Sequence, residues 1–207
     1  MAIRNTGIAS VASSHDRIRE AAKSLFAEQG YERTSTAAIC RRAGTSESQL
    51  IKHFQNKLGV LEAVFQSAWG QVNPAIRLAT ESISSPRQKF DMLIEMTLNF
   101  LNKDEDLLRL FLLEGRRIRD DGKQVVLVPG FLEFVGIADG VLRQLDEEGE
   151  LAVHPQALRS ALMGAIEGML RDRMLARSMR YPATFSNEDV RSLCFRFLNS
   201  GLSKQSS

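Results

Sequence analysis

The sequence predicts an all-α protein: an N-terminal three-helix unit containing a helix-turn-helix, followed by a C-terminal helical bundle. Three observations on the 207 residues predict it. Apolar side chains recur at helical spacing through most segments between Asp16 and Leu198. Glycines and capping residues punctuate those segments. No run of any length alternates apolar and polar residues as a half-buried strand does. Composition is ordinary for a globular chain, 43 % hydrophobic and 25 % charged. The character of the sequence changes near Val72, so two domains are expected, residues 12–72 and 73–207.

The first helix is read from Ile18, Ala21, Ala22, Leu25 and Phe26, one apolar stripe, with Asp16 at its start and Gly30 as its stop. The cluster Thr34-Ser35-Thr36 offers hydroxyls to cap a second, short helix over Thr36 to Ala43, with Ile39 and Ala43 inward. Gly44 makes the turn, and Ser46 caps a third helix with Glu47 behind it. In that helix Leu50 and Phe54 stand at i, i+4 and face the core, so Gln49, Lys52 and His53 project elsewhere, with Glu47 and Ser48 at the exposed N-terminal end. So short a helix is not stable alone in water; it requires packing on the first two. A fourth helix is expected from about Leu58 to Val72.

Beyond it, Pro74 and then Ser84-Ser85-Pro86 interrupt the helical pattern. Arg87 to Leu101 is apolar on nearly every side (Phe90, Met92, Leu93, Ile94, Met96, Leu98, Phe100 and Leu101), which predicts a helix buried all round in the middle of a bundle. Asp104 to Arg119 reads as another helix, with Leu107, Leu108, Phe111 and Leu112 inward and Asp120-Asp121-Gly122 as its stop. Val125 to Val128 is a β-branched run closed by Pro129-Gly130, a loop or frayed helix entry rather than a lone strand. Phe131 to Glu147 is helical on the stripe Phe134, Ile137, Val141, Leu142 and Leu145. His154 to Arg180 is the longest candidate, with Pro155 suited to its first turn. Ser186 caps the last helix, about 186–199, with Asp189 at the capping-box offset. GLSKQSS is a tail.

The segments AAKSLFAEQGYERTS, AAICRRAGTS, LIKHF and NKLGVLEAVF together resemble the DNA-binding domain of the TetR/AcrR family of bacterial regulators, over roughly the first third of the chain. Ile51 stands where that family usually carries a tyrosine, and Gln49 where it usually carries a small residue. Ile51 lacks a hydroxyl for phosphate; Gln49 has an amide able to pair bidentately with adenine. The resemblance implies a sequence-specific transcriptional regulator, a homodimeric repressor on a palindromic double-stranded DNA operator, released by a small-molecule effector. Its expected DNA contacts are Thr34, Ser35, Thr36, Ser46, Glu47, Ser48, Gln49, Lys52, His53 and Lys57. Thr34, Ser35 and Thr36 reach phosphate, cap their helix, or do both at once, His53 either meets phosphate or packs beside Phe54, and Lys57 matches the family lysine that holds a phosphate at a helix start.

In the second domain Met92, Met96, Phe100, Phe111, Glu114, Phe131, Phe134, Met163 and Glu167 are the candidates for a ligand pocket. The alternative is that the apolar ones are core and the charged ones helix-surface pairs, as the i, i+4 order of Glu167 and Arg171 allows. In the resembled family the last two helices of each subunit form a four-helix dimer interface; the candidates here are Leu158, Ala161, Leu162, Ala165, Met169, Phe195 and Leu198, with intramolecular core as the alternative.

Charge supports the motif without replacing it. The net charge is +2, and residues 1–72 hold nine Lys/Arg against six Asp/Glu. So small a net charge argues against an architectural DNA binder without ligand control, which depends on many phosphate contacts. The three histidines are scattered, and no HExxH, GxSxG or Gly-rich phosphate loop occurs, so no enzyme, cofactor or catalytic residue is expected. Cys40 and Cys194 lack metal-ligand spacing and read as small buried hydrophobes. With no membrane-spanning run and no apolar leader in the N-terminal arm that carries Arg4, a cytoplasmic protein is expected.

Overall fold

The computed structural model describes residues 13–115, 117 and 126–200, apart from the side chain of Ser200. The N-terminal arm with Arg4, the stop Asp120-Asp121-Gly122, Val125 and the tail lie outside the described residues. Those described form nine helices and no strand: α1 (Ser14–Gln29), α2 (Thr36–Ala43), α3 (Glu47–Phe54), α4 (Lys57–Glu81), α5 (Pro86–Lys103), α6 (Glu105–Glu114), α7 (Pro129–Glu147), α8 (Pro155–Ser178) and α9 (Asn187–Ser200). The chain divides into two compact units, Met1–Val64 and Phe65–Ser207, so the division falls within α4 and eight residues before the sequence-based boundary after Val72.

In the first unit Ile18, Ala22, Phe26, Ile39 and Leu50 are sealed from solvent and hold α1, α2 and α3 together. Three serines start the three helices: Ser13, Ser35 and Ser46 accept from the backbone N–H of Asp16, Ala38 and Gln49. Gly44 takes φ 61°, ψ 47°, the left-handed corner between α2 and α3. Arg17 Nε donates to the Ala43 carbonyl at 3.1 Å, and Arg42 pairs with both oxygens of Glu28 at 3.0 Å, fastening α2 to α1. Arg42 is therefore part of the unit's frame, although its carboxylate partner is exposed.

The second unit is built on α5, which packs on α6, α7 and α9, while α8 packs on α6, α7 and α9. Phe90, Leu93, Ile94, Leu98 and Leu101 of α5 are buried, but Met92, Met96 and Phe100 are only half-buried on its other flank. The helix is therefore not enclosed on all sides as its composition suggested. Charged pairs tie the helices from outside: Arg191 of α9 grips both oxygens of Asp91 on α5, and Arg87 of α5 meets Glu150 at 2.6 Å. The Arg191 guanidinium, hydrogen-bonded to Asp91, is held in its charged form even more firmly than usual. At the start of α9 the Ser186 backbone N–H donates to Asp189 Oδ2 at 2.7 Å and the Asp189 N–H to Ser186 Oγ at 3.2 Å, a reciprocal cap made with Asp in the place of Glu.

Two boundaries differ from the sequence reading. Helix α4 runs through Pro74 to Glu81 instead of ending near Val72. Pro74 is exposed, so its ring points to solvent, and it costs the helix one backbone hydrogen bond without a break. Helix α6 stops at Glu114 instead of continuing to Arg119. Gly115, a poor helix former, follows it, and the buried Glu114 is bonded to Arg117 at 3.3 Å across the end. Arg119 itself lies outside the described residues.

Candidate functional site

Helix α3 presents two flanks. Leu50 and Phe54 point into the unit; Glu47, Ser48, Ile51, Lys52, His53 and Gln55 are exposed, and Gln49 is half-exposed between them. Lys52 lies almost opposite the buried edge, as the 3.6-residue period requires. A single turn of capping places this helix: Ser46 Oγ accepts from Gln49 N and bonds Ser48 Oγ at 2.8 Å. Thr36 Oγ1 donates to Glu47 Oε2 at 3.5 Å, a loose tie between α2 and α3. Ser35 is exposed and accepts from Ala38 N, so it caps α2 from the surface.

Thr34 and Lys57 leave the expected set of phosphate contacts. Thr34 is 1 % exposed, and its hydroxyl faces the carbonyls of Gly30 at 2.8 Å and Leu25 at 3.3 Å; it closes the end of α1 from inside. Lys57 Nζ donates to the carbonyls of Tyr31 at 2.9 Å and Glu32 at 3.3 Å and sits 4.3 Å from the centre of the Tyr31 ring. Its ammonium is turned back onto the loop before α2, where it satisfies carbonyls and meets the ring face. His53 is exposed, yet its Nε2 is 2.9 Å from Ser14 Oγ of α1, and its ring stands edge-on to His15 at 5.6 Å. His15 in turn stacks on Phe54 at 4.6 Å. This histidine pair is an anchor for the end of α3 that the sequence reading missed, because nothing in the spacing of residues 15 and 53 shows that they meet.

The join between α3 and α4 is unusually tight. Gln55 has φ 67°, ψ −48°, and the Asn56 N–H reaches the Phe54 carbonyl at 2.8 Å, a γ-turn of the strained hand. Among the described non-glycine residues Gln55 is the one with positive φ. Asn56 Oδ1 then accepts from Gly59 N at 2.9 Å, capping α4. A Cβ on Gly59 would stand 2.0 Å from the Phe54 carbonyl oxygen, so only glycine admits this approach. Sequence reasoning missed the Asn56 cap, although asparagine is an ordinary N-cap residue; the strain at Gln55 and the role of Gly59 had no sequence signal.

The second unit contains a partly open cavity of about 120 Å³. Its wall is aromatic at one end, where Trp69 lies 4.7 Å from Phe134, 5.1 Å from Phe111 and 5.5 Å from Phe131. Gly130 makes that end possible: its Cα lies so close to Trp69 that an added Cβ would stand 2.6 Å from the Trp69 Cβ. Leucines and isoleucines of α5, α6 and α8 complete the wall, and Thr97, Arg159 and Glu167 are its polar members. Arg159 pairs with Asp139 of α7 at 2.5 Å, while the other oxygen of Asp139 is buried and unpartnered among the described residues. Of the expected pocket residues, Phe111, Phe131, Phe134, Met163 and Glu167 line the cavity. Met92, Met96 and Phe100 do not; they are half-buried, while Phe90, Leu93, Ile94, Thr97 and Leu101 of the same helix line it. Glu114 is buried but turned to Arg117 and does not line it. Arg159, Asp139 and Trp69 were missed; a charged pair on separate helices has no sequence spacing to reveal it.

For the expected subunit interface the correction is similar. Leu158, Leu162 and Leu198 are buried within their own chain, and Leu162 lines the cavity. Phe195 meets Phe90 of α5 edge-on at 5.9 Å. Ala161 is exposed, and Ala165 and Met169 are half-buried. What α8 shows to solvent is a stripe of small residues, Ala157, Ala161, Gly164 and Gly168, and α9 adds the exposed Phe197.

Residues 18–64, which contain α2, α3, the γ-turn and most of α1, match the family described as bacterial regulatory proteins, tetR family. A crystal structure from Shewanella sp. PV-4 assigned to the tetR family of transcription regulators superposes with a TM-score of 0.73 at 25 % identity, covering 91 % of this chain and 98 % of that one. The chain carries a tetR-family DNA-binding domain. Among curated relatives, the fatty acid metabolism regulator protein of Bacillus subtilis (strain 168) is 24 % identical over 155 residues, 73 % of this chain and 78 % of the relative. The structure of FadR from Bacillus subtilis in complex with stearoyl-CoA shares the fold with a TM-score of 0.75 at 20 % identity, over 93 % of this chain and all of that one. With that domain the chain is a DNA-binding transcription regulator and not an enzyme. Among the described residues no helix is long and apolar enough to cross a membrane.

Proposed function

We propose that this regulator is a homodimeric repressor whose grip on a palindromic operator is released when a ligand with a hydrocarbon portion enters the cavity of the second unit. The observation that carries the ligand reading is the apolar wall around Trp69, Phe111, Phe131 and Phe134. An apolar wall of this kind takes hydrocarbon readily. The relative of known structure that holds stearoyl-CoA favours an acyl chain as the ligand class. At about 120 Å³ the cavity is smaller than the roughly 300–1,000 Å³ of sites for drug-sized molecules, so a longer chain enters only a widened form of the bundle. That is the differential affinity that ligand control requires. Burying three methylenes contributes about 2.4 kcal/mol, which exceeds the roughly 1.4 kcal/mol needed for a tenfold shift. Phe65 and Trp69 of α4 line the cavity, and the first turn of the same helix is joined to α3 through the turn at Gln55.

Operator contact rests on the exposed flank of α3: Ser48 and Lys52 at its centre, Gln49 and Glu47 at its margins, and Ser35 and Thr36 at the α2 cap. Lys52 neutralises phosphate, and Gln49 pairs with an adenine edge. Two copies supply two half-sites about one helical turn apart. The stripe Ala157, Ala161, Gly164 and Gly168, with Phe197, is the surface on which the copies meet. Small residues there let two helices approach closely.

The test is operator-binding anisotropy with a duplex selected from random DNA, titrated with acyl-CoA thioesters of graded chain length. A chain-length-dependent loss of operator affinity is expected, with a matching rise in melting temperature off DNA. An affinity unmoved by every chain length would refute ligand release by this class. Sedimentation should give a dimer at micromolar concentration, and a monomer both on and off DNA would refute the pairing.

A further inference from the structure

We propose that Ile51 reads the 5-methyl group of a thymine in the operator, an inference that rests on α3 being the reading helix. Among the described residues of the first unit, Ile51 is the one large apolar side chain left exposed, at 58 %. Scattered exposed apolar residues are normal on a protein surface, so exposure alone decides nothing. Its position decides. Ile51 stands one turn after Ser48 and one turn before Gln55, beside Lys52, on the flank of α3 that turns away from Leu50 and Phe54. The neighbours on that flank are hydroxyl, ammonium and amide, each suited to phosphate or to a polar base edge. A sec-butyl side chain has nothing to offer a phosphate oxygen. In the major groove the apolar group presented by a base pair is the C5-methyl of thymine, and an aliphatic side chain recognises it by contact.

The backbone makes such a contact selective. The end of α3 is fixed by the Gln55 turn, by Asn56 on Gly59 N at 2.9 Å, and by Ser14 on His53 at 2.9 Å. Isoleucine is stiff at χ1, so its methyl groups are held in place and do not sweep the groove. Burying one methyl contributes about 0.8 kcal/mol, which corresponds to about fourfold in affinity for each half-site.

The experiment uses the full chain and a duplex enriched from random DNA, in which each thymine is replaced in turn by deoxyuridine, removing only the methyl. The wild type should lose about fourfold at one thymine position of the half-site. Ile51→Ala should bind the thymine and uracil duplexes alike at that position. Lys52→Ala serves as the control: it should weaken binding to all duplexes while keeping the uracil penalty. Because Ile51 is exposed, the alanine variant should melt as the wild type does. If an enriched duplex shows no uracil penalty, or if Ile51→Ala keeps it at every thymine, the inference is overturned and the operator reading stands. If no duplex is enriched at all, the operator reading falls and takes the inference with it.

Discussion

Gly59→Ala separates what the helix prefers from what the fold allows. By intrinsic propensity alone, alanine in place of glycine stabilises a helix by up to about 1 kcal/mol. The structure predicts the opposite sign. An added Cβ would stand 2.0 Å from the Phe54 carbonyl oxygen and 3.1 Å from its carbonyl carbon. Relief requires the carbonyl to retreat by about 1.4 Å, from 2.0 Å to ordinary contact near 3.4 Å. That carbonyl belongs to buried Phe54 and already accepts from Asn56 N at 2.8 Å, so it cannot turn aside cheaply. Overpacking of this kind costs about 1–3 kcal/mol, and disturbing the Asn56 cap about 1 kcal/mol more. The net expectation is a loss of about 1–3 kcal/mol, together with weaker operator binding because α3 is displaced. Gly70→Ala on the same helix is the control: nothing lies within 4 Å of its Cβ position, and it should stabilise by about 0.5–1 kcal/mol. Urea unfolding followed by circular dichroism measures both, and amide exchange of α3 localises the effect. The one tryptophan, Trp69, reports the second unit separately by its fluorescence. A Gly59→Ala variant as stable as Gly70→Ala would refute the close approach.

Lys52→Ala should weaken operator binding at all sequences and reduce the slope of log affinity against log salt by about 0.9 per subunit, about 1.8 for the dimer; an unchanged slope in a salt titration removes Lys52 from the phosphate contacts. Arg191→Ala leaves Asp91 without its guanidinium in a site where both side chains are about a quarter to a third exposed. Its cost should therefore fall between that of exposed and buried pairs, about 1–2 kcal/mol. A double-mutant cycle with Asp91→Ala measures the coupling, and additive losses would count against the pair. Burial pushes the Cys194 thiol up to about 11, and burial followed by the nearby Glu47 raises that of Cys40. Thiolate is therefore scarce at pH 7–8, and neither cysteine should react with a thiol reagent until the chain unfolds; rapid labelling of the folded protein would contradict this.

Most helices were legible because their apolar stripes and caps are local. Ile18 through Phe26, Ser46 with Leu50 and Phe54, and Ser186 with Asp189 each specify an element within a few residues, and the structure places them so. Pro74 was misread because the sequence does not say that its ring faces solvent, where a helix tolerates it. Arg87 to Leu101 was read as wrapped on every side because its apolar content is high all round. The structure covers one flank with the cavity wall and leaves Met92, Met96 and Phe100 half-exposed. Periodicity reports that a face is apolar and says nothing of which body covers it. For the same reason Leu158, Leu162 and Leu198, read as a subunit interface, are core of their own chain.

The direction of a polar side chain is the harder quantity. Thr34 and Lys57 carry groups that suit phosphate, and both donate instead to carbonyls of the turn after α1, Thr34 to that of Gly30 and Lys57 to those of Tyr31 and Glu32. A buried carbonyl without a partner costs about 1–3 kcal/mol, so the nearest donor turns inward unless another supplies the bond. Ser48, Lys52 and Gln49 remain on the outside of α3, where the carbonyls of Ile51 and Phe54 are taken by the backbone N–H groups of Gln55 and Asn56. A reading surface made on such a helix is fixed by the apolar residues behind it. The γ-turn at Gln55 and the contact at Gly59 then tie its end to the first turn of α4 with no slack to deform. In the proposed mechanism, operator preference and ligand response draw on different residues: base contacts on α3 set the first, and the wall around Trp69 sets the second.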